Sequence, residues 1–220
     1  MEYTYYKFNN VIGAYLEMPT SDARGLLPPP LQPLEPQHSR SVLGVTIFDF
    51  YDSLVGPYRE AVLAIIVPPL VQPGRPLPKA GLYPFIVGTS TKASRDHAIQ
   101  RWHLPHFMKD LDIVLEASDS ALNAVVRDDG KPVMELTVTE HSYVVHHNLY
   151  NSFSTDSGGR YKFSVHMEAE HSEHEEERGS FKLYPHAMTK GLTLSEISTV
   201  PFREEWYRKG VQSIEPLETL

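Results

Sequence analysis

The chain has 220 residues, a net charge of −8, 41% hydrophobic and 22% charged residues, and no cysteine. That length suits one generous domain, and the composition is that of a globular protein, which excludes whole-chain disorder. Missing cysteine excludes disulfides, thiolate metal sites and a cysteine nucleophile, while the acidic balance with scattered lysines and arginines disfavours nucleic acid and anionic membrane as partners.

One domain over residues 1–220 is therefore expected. The N-terminus lacks the apolar stretch of a signal peptide, and the longest apolar run, Ala61–Val67, ends in Pro68-Pro69, far short of a membrane span, so a cytoplasmic protein is expected. Ser21–Leu27 reads as a short helix capped by Thr20 or Ser21. Leu27-Pro-Pro-Pro-Leu31 and Pro33–Pro36 form an extended connector, because proline blocks helix. Ser41–Tyr51 and Tyr58–Val67 are apolar on both parities, the pattern of strands packed on both faces. Pro68–Pro78 reads as a loop. Ser94–Trp102 reads as a helix with Ser94 as cap and Ala98, Ile99 and Trp102 as its apolar stripe, redirected by Pro105.

Further along, Met134, Leu136 and Val138 alternate with polar residues, as do Tyr161, Phe163, Val165, Met167 and Ala169. A strict period of two marks half-buried antiparallel strand. Asp128-Asp129-Gly130 and Ser157-Gly158-Gly159 are hairpin turns. The polar run His171–Arg178 reads as a solvated turn, and Phe202–Gly210 as a third helix ended by Gly210. The expected class is mainly β (α+β) with a few short helices.

Three groups of residues carry candidate chemistry. Glu60, in Gly56-Pro-Tyr-Arg-Glu60, opens a nearly all-apolar strand. A carboxylate at the mouth of an apolar wall has a raised pKa and suits general acid–base work; the plainer alternative is a strand-end glutamate paired with Arg59 or facing solvent. His103 and His106 flank Pro105 beside Trp102 and Phe107; they are either proton shuttles or packed and surface histidines, and the proline makes a shared metal doubtful. His166, Glu168, Glu170, His171, Glu173 and His174 are dense in ligand types, but the first three lie on the polar face of an amphipathic strand. A surface cluster is the favoured reading and no metal is expected. Neither a phosphate-binding glycine loop, a zinc protease motif nor a Gly-x-Ser-x-Gly elbow occurs, and no cofactor is expected.

Taken together, Tyr6-Lys-Phe-Asn-Asn10, the helix-to-connector stretch Asp22–Pro36, Gly56-Pro-Tyr-Arg-Glu60, Leu104-Pro-His-Phe107 and Phe181–Met188 followed by Leu194–Ile197 resemble the acetoacetate decarboxylase-like superfamily. The resemblance spans nearly the whole chain, with Asn148–Arg178 matching poorly. It implies a closed, cone-like antiparallel β-barrel with a deep apolar pocket, often in oligomers. It also implies a lysine that forms a Schiff base, the handiwork of a depressed amine pKa in a family that is itself a standard example of such activation. Here that lysine position is His106 and its neighbour is Phe107, and neither forms an imine. The family's arginine falls near Asn10 or Val11, and one of its two pocket glutamates near Val45; the other survives as Glu60.

The function this implies is an enzyme that keeps the pocket without the imine. Glu60 would move a proton beside the carbonyl of a small or medium keto compound, polyketide-like included, with His106 or His103 as partner. Tyr58, Trp102 and Phe107 would supply walls. Aldol, dehydration, isomerisation and cyclisation chemistry all fit. Alternatives are a Schiff-base lyase using Lys109 (Lys92 being a weaker substitute), a non-catalytic ligand-binding barrel, and, last, a metal site through His166, His171 and His174. Strands apolar on both parities point to a homo-oligomer.

Overall fold

The computed structural model describes residues 2–220. The strands are β1 (Thr4–Pro19), β2 (Arg40–Asp52), β3 (Tyr58–Val67), β4 (Ala80–Thr89), β5 (His106–Asp110), β6 (Asp112–Ala117), β7 (Ala121–Asp128), β8 (Lys131–Thr139), β9 (Val144–Asp156), β10 (Gly159–His174), β11 (Ser180–Leu183), β12 (Arg203–Ile214) and β13 (Glu218–Thr219). Helix α1 (Thr20–Leu26) follows β1, and α2 (Lys92–Trp102) follows β4.

Seven strands close on themselves in the order β12-β1-β2-β3-β4-β9-β10 and back to β12. Every junction is antiparallel except β4–β9, where the pairing is parallel. Closure leaves no free edge in this wall. A second sheet, β11-β8-β7-β6, lies outside the barrel. The mainly β, closed-barrel architecture read from the sequence is the one observed, with a single parallel seam added.

The two-faced apolar strands now have a physical account. On β3, Tyr58, Glu60, Val62 and Ala64 face the barrel interior, while Ala61, Leu63 and Ile65 face out. The outward set packs with Leu43, Val45 and Ile47 of β2 against Ile113, Leu122, Val126, Met134 and Leu136 of the second sheet in one buried cluster. Each such side chain contributes roughly 1.5–3 kcal/mol by leaving water. The apolar outer face that pointed to an oligomer is thus covered by this chain's own second sheet, and the pattern is no argument for a subunit contact.

Four local expectations need correction. Phe202–Gly210 is not a helix: from Arg203 onward it lies in β12, paired to β1 on one side and β10 on the other. Its Arg, Glu and Lys favour helix, but two flanking strands decide the matter. Gly210 is required there, since a Cβ would lie 2.4 Å from the Ala169 Cβ and 2.6 Å from the Phe8 ring. The run His171–Arg178 is not wholly a turn, because β10 continues to His174 and buries His171 and His174. Helix α2 begins three residues earlier than expected: Thr91 is its cap, its side chain accepting from the Ser94 N–H at 3.2 Å. Ser94 is instead buried and bonded to Thr89. At α1 the capping position is Pro19, with no side-chain cap. No described helix is long and apolar enough to cross a membrane.

Candidate active site

The alternation that sends Leu63 outward sends Glu60 inward, between Tyr58 and Val62. Across the sheet it pairs with Phe48 on β2 and Thr89 on β4. Together with β1, β9, β10 and β12, these strands enclose a cavity of about 120 Å³. A water needs roughly 10–15 Å³ by this kind of measure, so the space suits a small organic molecule. Helix α2 covers one end, placing His97, Ala98 and Trp102 on the lining, with Leu104 just beyond.

Glu60 lies deep in the barrel, with part of its surface open only to the cavity. Burial alone pushes its pKa up from 4.5 to about 8, and no cation or hydrogen-bond donor opposes the shift. Two tyrosines share its end. Tyr6 is saturated: the Trp102 indole N–H donates to its hydroxyl at 3.1 Å, and the hydroxyl lies 2.9 Å from His97 Nε2. His97 has its pKa lowered, first by burial and then by the charge of Arg101, which leaves a neutral ring able to accept from Tyr6. Tyr58 has its pKa raised well above 10, by burial first and the Glu60 charge second.

The other polar end gathers around Glu205 of β12, a buried carboxylate that also lines the cavity. Tyr150 donates to Glu205 Oε2 at 3.2 Å, and Tyr15 reaches the same oxygen at 3.5 Å. The Tyr150 and Tyr207 hydroxyls are 2.6 Å apart, and Asn148 Nδ2 donates to Tyr207 at 2.7 Å. Behind the wall, Lys79 Nζ lies 2.6 Å from Glu205 Oε1 and 2.7 Å from Glu173 Oε2. Burial nonetheless outweighs Lys79 and raises the Glu205 pKa.

His171, Glu173 and Glu205 have donor atoms within 4.8 Å of one another, the only such grouping among the described residues. The ammonium of Lys79 already bridges two of these three ligands, so the set is occupied by a cation of the chain itself. Of the histidines suggested for a metal, His166 bonds to His147 and Glu215, and His174 to Thr139, so they do not join His171.

Of the residues read from the sequence as a site, Glu60, Tyr58 and Trp102 line the cavity. His103, His106, Phe107 and Lys109 do not line it. His103 ends α2 in the left-handed region at φ 53°, pairs with Asp156 and stacks on Tyr161 at 4.2 Å. His106 starts β5 with both ring nitrogens buried and unpartnered, its pKa lowered to about 4 by burial and by Arg95. Phe107 packs edge-on against His186 at 4.8 Å, in the cluster under the second sheet. Lys109 is exposed on the surface, 3.0 Å from Asp129 and 3.3 Å from Asp128. Lys92 is likewise a surface residue, paired with Asp96. A short parallel strand, rather than a helix, carries residues 106–110, so Lys109 is not one helical turn from His106.

Sequence reasoning missed Glu205, Tyr15, Tyr150, Tyr207 and His97. Reading β12 as helix hid the alternation of Glu205 and Tyr207 with Trp206, which was the available signal. Val11, near where the resemblance places an arginine, lines the cavity as a valine, whereas Val45, near where it places a glutamate, packs outward with Leu43 and Ile47.

No family model matches the chain, and no curated protein sequence matches it. Solved structures do. An acetoacetate decarboxylase from Legionella pneumophila is similar over 99% of this chain and 87% of its own, at TM-score 0.67 and 15% identity. The enduracididine biosynthesis enzyme MppR, solved with pyruvate, is similar over 99% and 89%, at TM-score 0.64 and 10% identity. An acetoacetate decarboxylase-like enzyme from Sphingomonas wittichii RW1 is similar over 99% and 92%, at TM-score 0.62 and 13% identity. At such identities the likeness is one of fold, and the fold is that of acetoacetate decarboxylase.

Proposed function

In a chain with the acetoacetate decarboxylase fold, we propose a site that moves a proton at the carbon next to a carbonyl group, without an imine. One observation carries this reading: a carboxyl group faces a mostly apolar cavity inside the barrel, where burial raises its pKa to about 8. A group that ionises near working pH is suited both to take and to return a proton. The Glu60 carboxylate takes the α-proton. The electron pair of the broken C–H bond moves toward the carbonyl oxygen, which becomes an enolate, and the carboxylic acid so formed delivers the proton back.

Tyr58 stands two residues away on the same face of β3, its hydroxyl free of the saturating contacts that occupy Tyr6. It donates to the developing enolate oxygen, where a positioned hydrogen bond in a mostly apolar cavity is worth more than in water. Trp102 and Phe48 form the walls. His103 and His106 have no part in this scheme, because neither lines the cavity. That MppR was solved with pyruvate supports a carbonyl compound as the ligand type.

The test is solvent-deuterium exchange at the α-carbons of small 1,3-dicarbonyl compounds, followed by proton NMR. Wild-type protein is expected to catalyse exchange, and Glu60→Gln to lose it by about 100-fold or more, the usual contribution of a positioned base. Binding without exchange in the wild type would instead mark a ligand carrier. Borohydride trapping is expected to give no adduct, since Lys109 is on the surface and Lys79 is engaged by two carboxylates.

A further inference from the structure

The charge lining the barrel bears on which carbonyl compounds can enter. Glu60 and Glu205 both face the cavity, together with five tyrosines and neutral His97, and among the described residues no lysine or arginine lines it. The nearest cations are spoken for or outside. Lys79 is held behind the wall between Glu173 and Glu205. Arg101 is exposed and lies 5.1 Å from the centre of the Trp102 ring.

Resting on the proton-transfer reading, we infer that the barrel takes an uncharged carbonyl compound, such as a ketone, ester or amide, in preference to the matching keto acid. A carboxylate in this cavity would lose its hydration and meet no opposite charge, the costliest kind of burial. At the Glu205 end it would face a second carboxyl group whose Oε2 already takes the Tyr150 hydroxyl and whose Oε1 already holds Lys79. At the Glu60 end its donors would be the Tyr58 hydroxyl and the protonated carboxyl, neither of them a cation, and the second contact would hold the base in its inactive form. A neutral carbonyl oxygen meets neither obstacle, because it accepts from Tyr58 and brings no charge to be desolvated.

Acetoacetamide and acetoacetate differ in little but charge, and calorimetric titration of the full chain with each reads the preference directly. Acetoacetamide is expected to bind about tenfold tighter or more. Gln212, on the cavity wall, offers the complementary change. Gln212→Arg supplies the missing cation and is expected to erase or reverse the preference. Equal affinities, tighter binding of acetoacetate, or binding of neither would overturn the inference. The exchange assay keeps the two readings apart. Amide preference without exchange would leave this inference standing and remove the proton transfer, whereas exchange confined to acetoacetate would do the opposite.

Discussion

Glu60 combines a functional role with a cost to folding. Its pKa is about 8 in the folded barrel against 4.5 for the free side chain. Between those values the folded state binds more protons than the unfolded one, so stability is full below pH 4.5 and falls as pH rises through 8. Glu60→Gln lacks this titration. Chemical denaturation at pH 9 is expected to show the variant more stable than wild type by about 2 kcal/mol or more, with little difference at pH 4. Exchange by wild type should rise with pH and level off above about 8, because the ionised carboxylate is the base. His106 shows the opposite sign. Its pKa of about 4 lies below the free value of 6.5, so its contribution is lost as pH falls from 6.5 toward 4. His106→Leu removes two unpartnered buried nitrogens and is expected to gain about 1 kcal/mol at pH 5 in denaturant titration, leaving exchange intact.

At the scale of elements, the cavity depends on strand parity. Tyr58, Glu60 and Val62 share one face of β3 because side chains alternate. Helix α2 then closes the end, and its start rests on the Thr91 cap. Thr91→Ala is expected to cost about 1 kcal/mol of stability by thermal denaturation while the α-carbon exchange rate changes little. Such elements also show what the sequence reveals and what it conceals. The alternation in β8 and β10 and the glycine hairpins were legible because they are local. The place of Glu60 inside was favoured only through the resemblance of Gly56–Glu60 to a family strand junction, because an apolar strand with a polar residue at its mouth fits a solvent-facing glutamate as well. Helix-favouring residues in β12 concealed a strand, because pairing to β1 and β10 is a long-range fact that propensity does not carry. Glu205 and its tyrosines were lost with it. The histidines were over-read for a related reason: a motif position names the neighbourhood of the family's lysine, but the backbone at β5 turns His106 into a packed wall residue.

For the molecule as a whole, one chain builds both the barrel and its outer cover. Leu136 of β8 is 1% exposed and belongs to the cluster that joins the second sheet to β2 and β3. The barrel wall and the second sheet therefore share a core and should unfold together. Leu136→Ala is expected to cost about 2–5 kcal/mol, with tryptophan fluorescence and far-ultraviolet dichroism still reporting one coincident transition. Separate transitions would mean that the second sheet is an appendage. The same sharing explains why strands apolar on both parities do not require a second subunit here.

Infrared difference spectra recorded across a pH titration address Glu60 most directly. A protonated carboxylic acid band should disappear with a midpoint near pH 8, and Glu60→Gln should lack it. A midpoint near 4.5, or a band that persists unchanged in Glu60→Gln, would mean that the carboxyl in the cavity is an ordinary ionised glutamate, and the proton chemistry assigned to it would go with it.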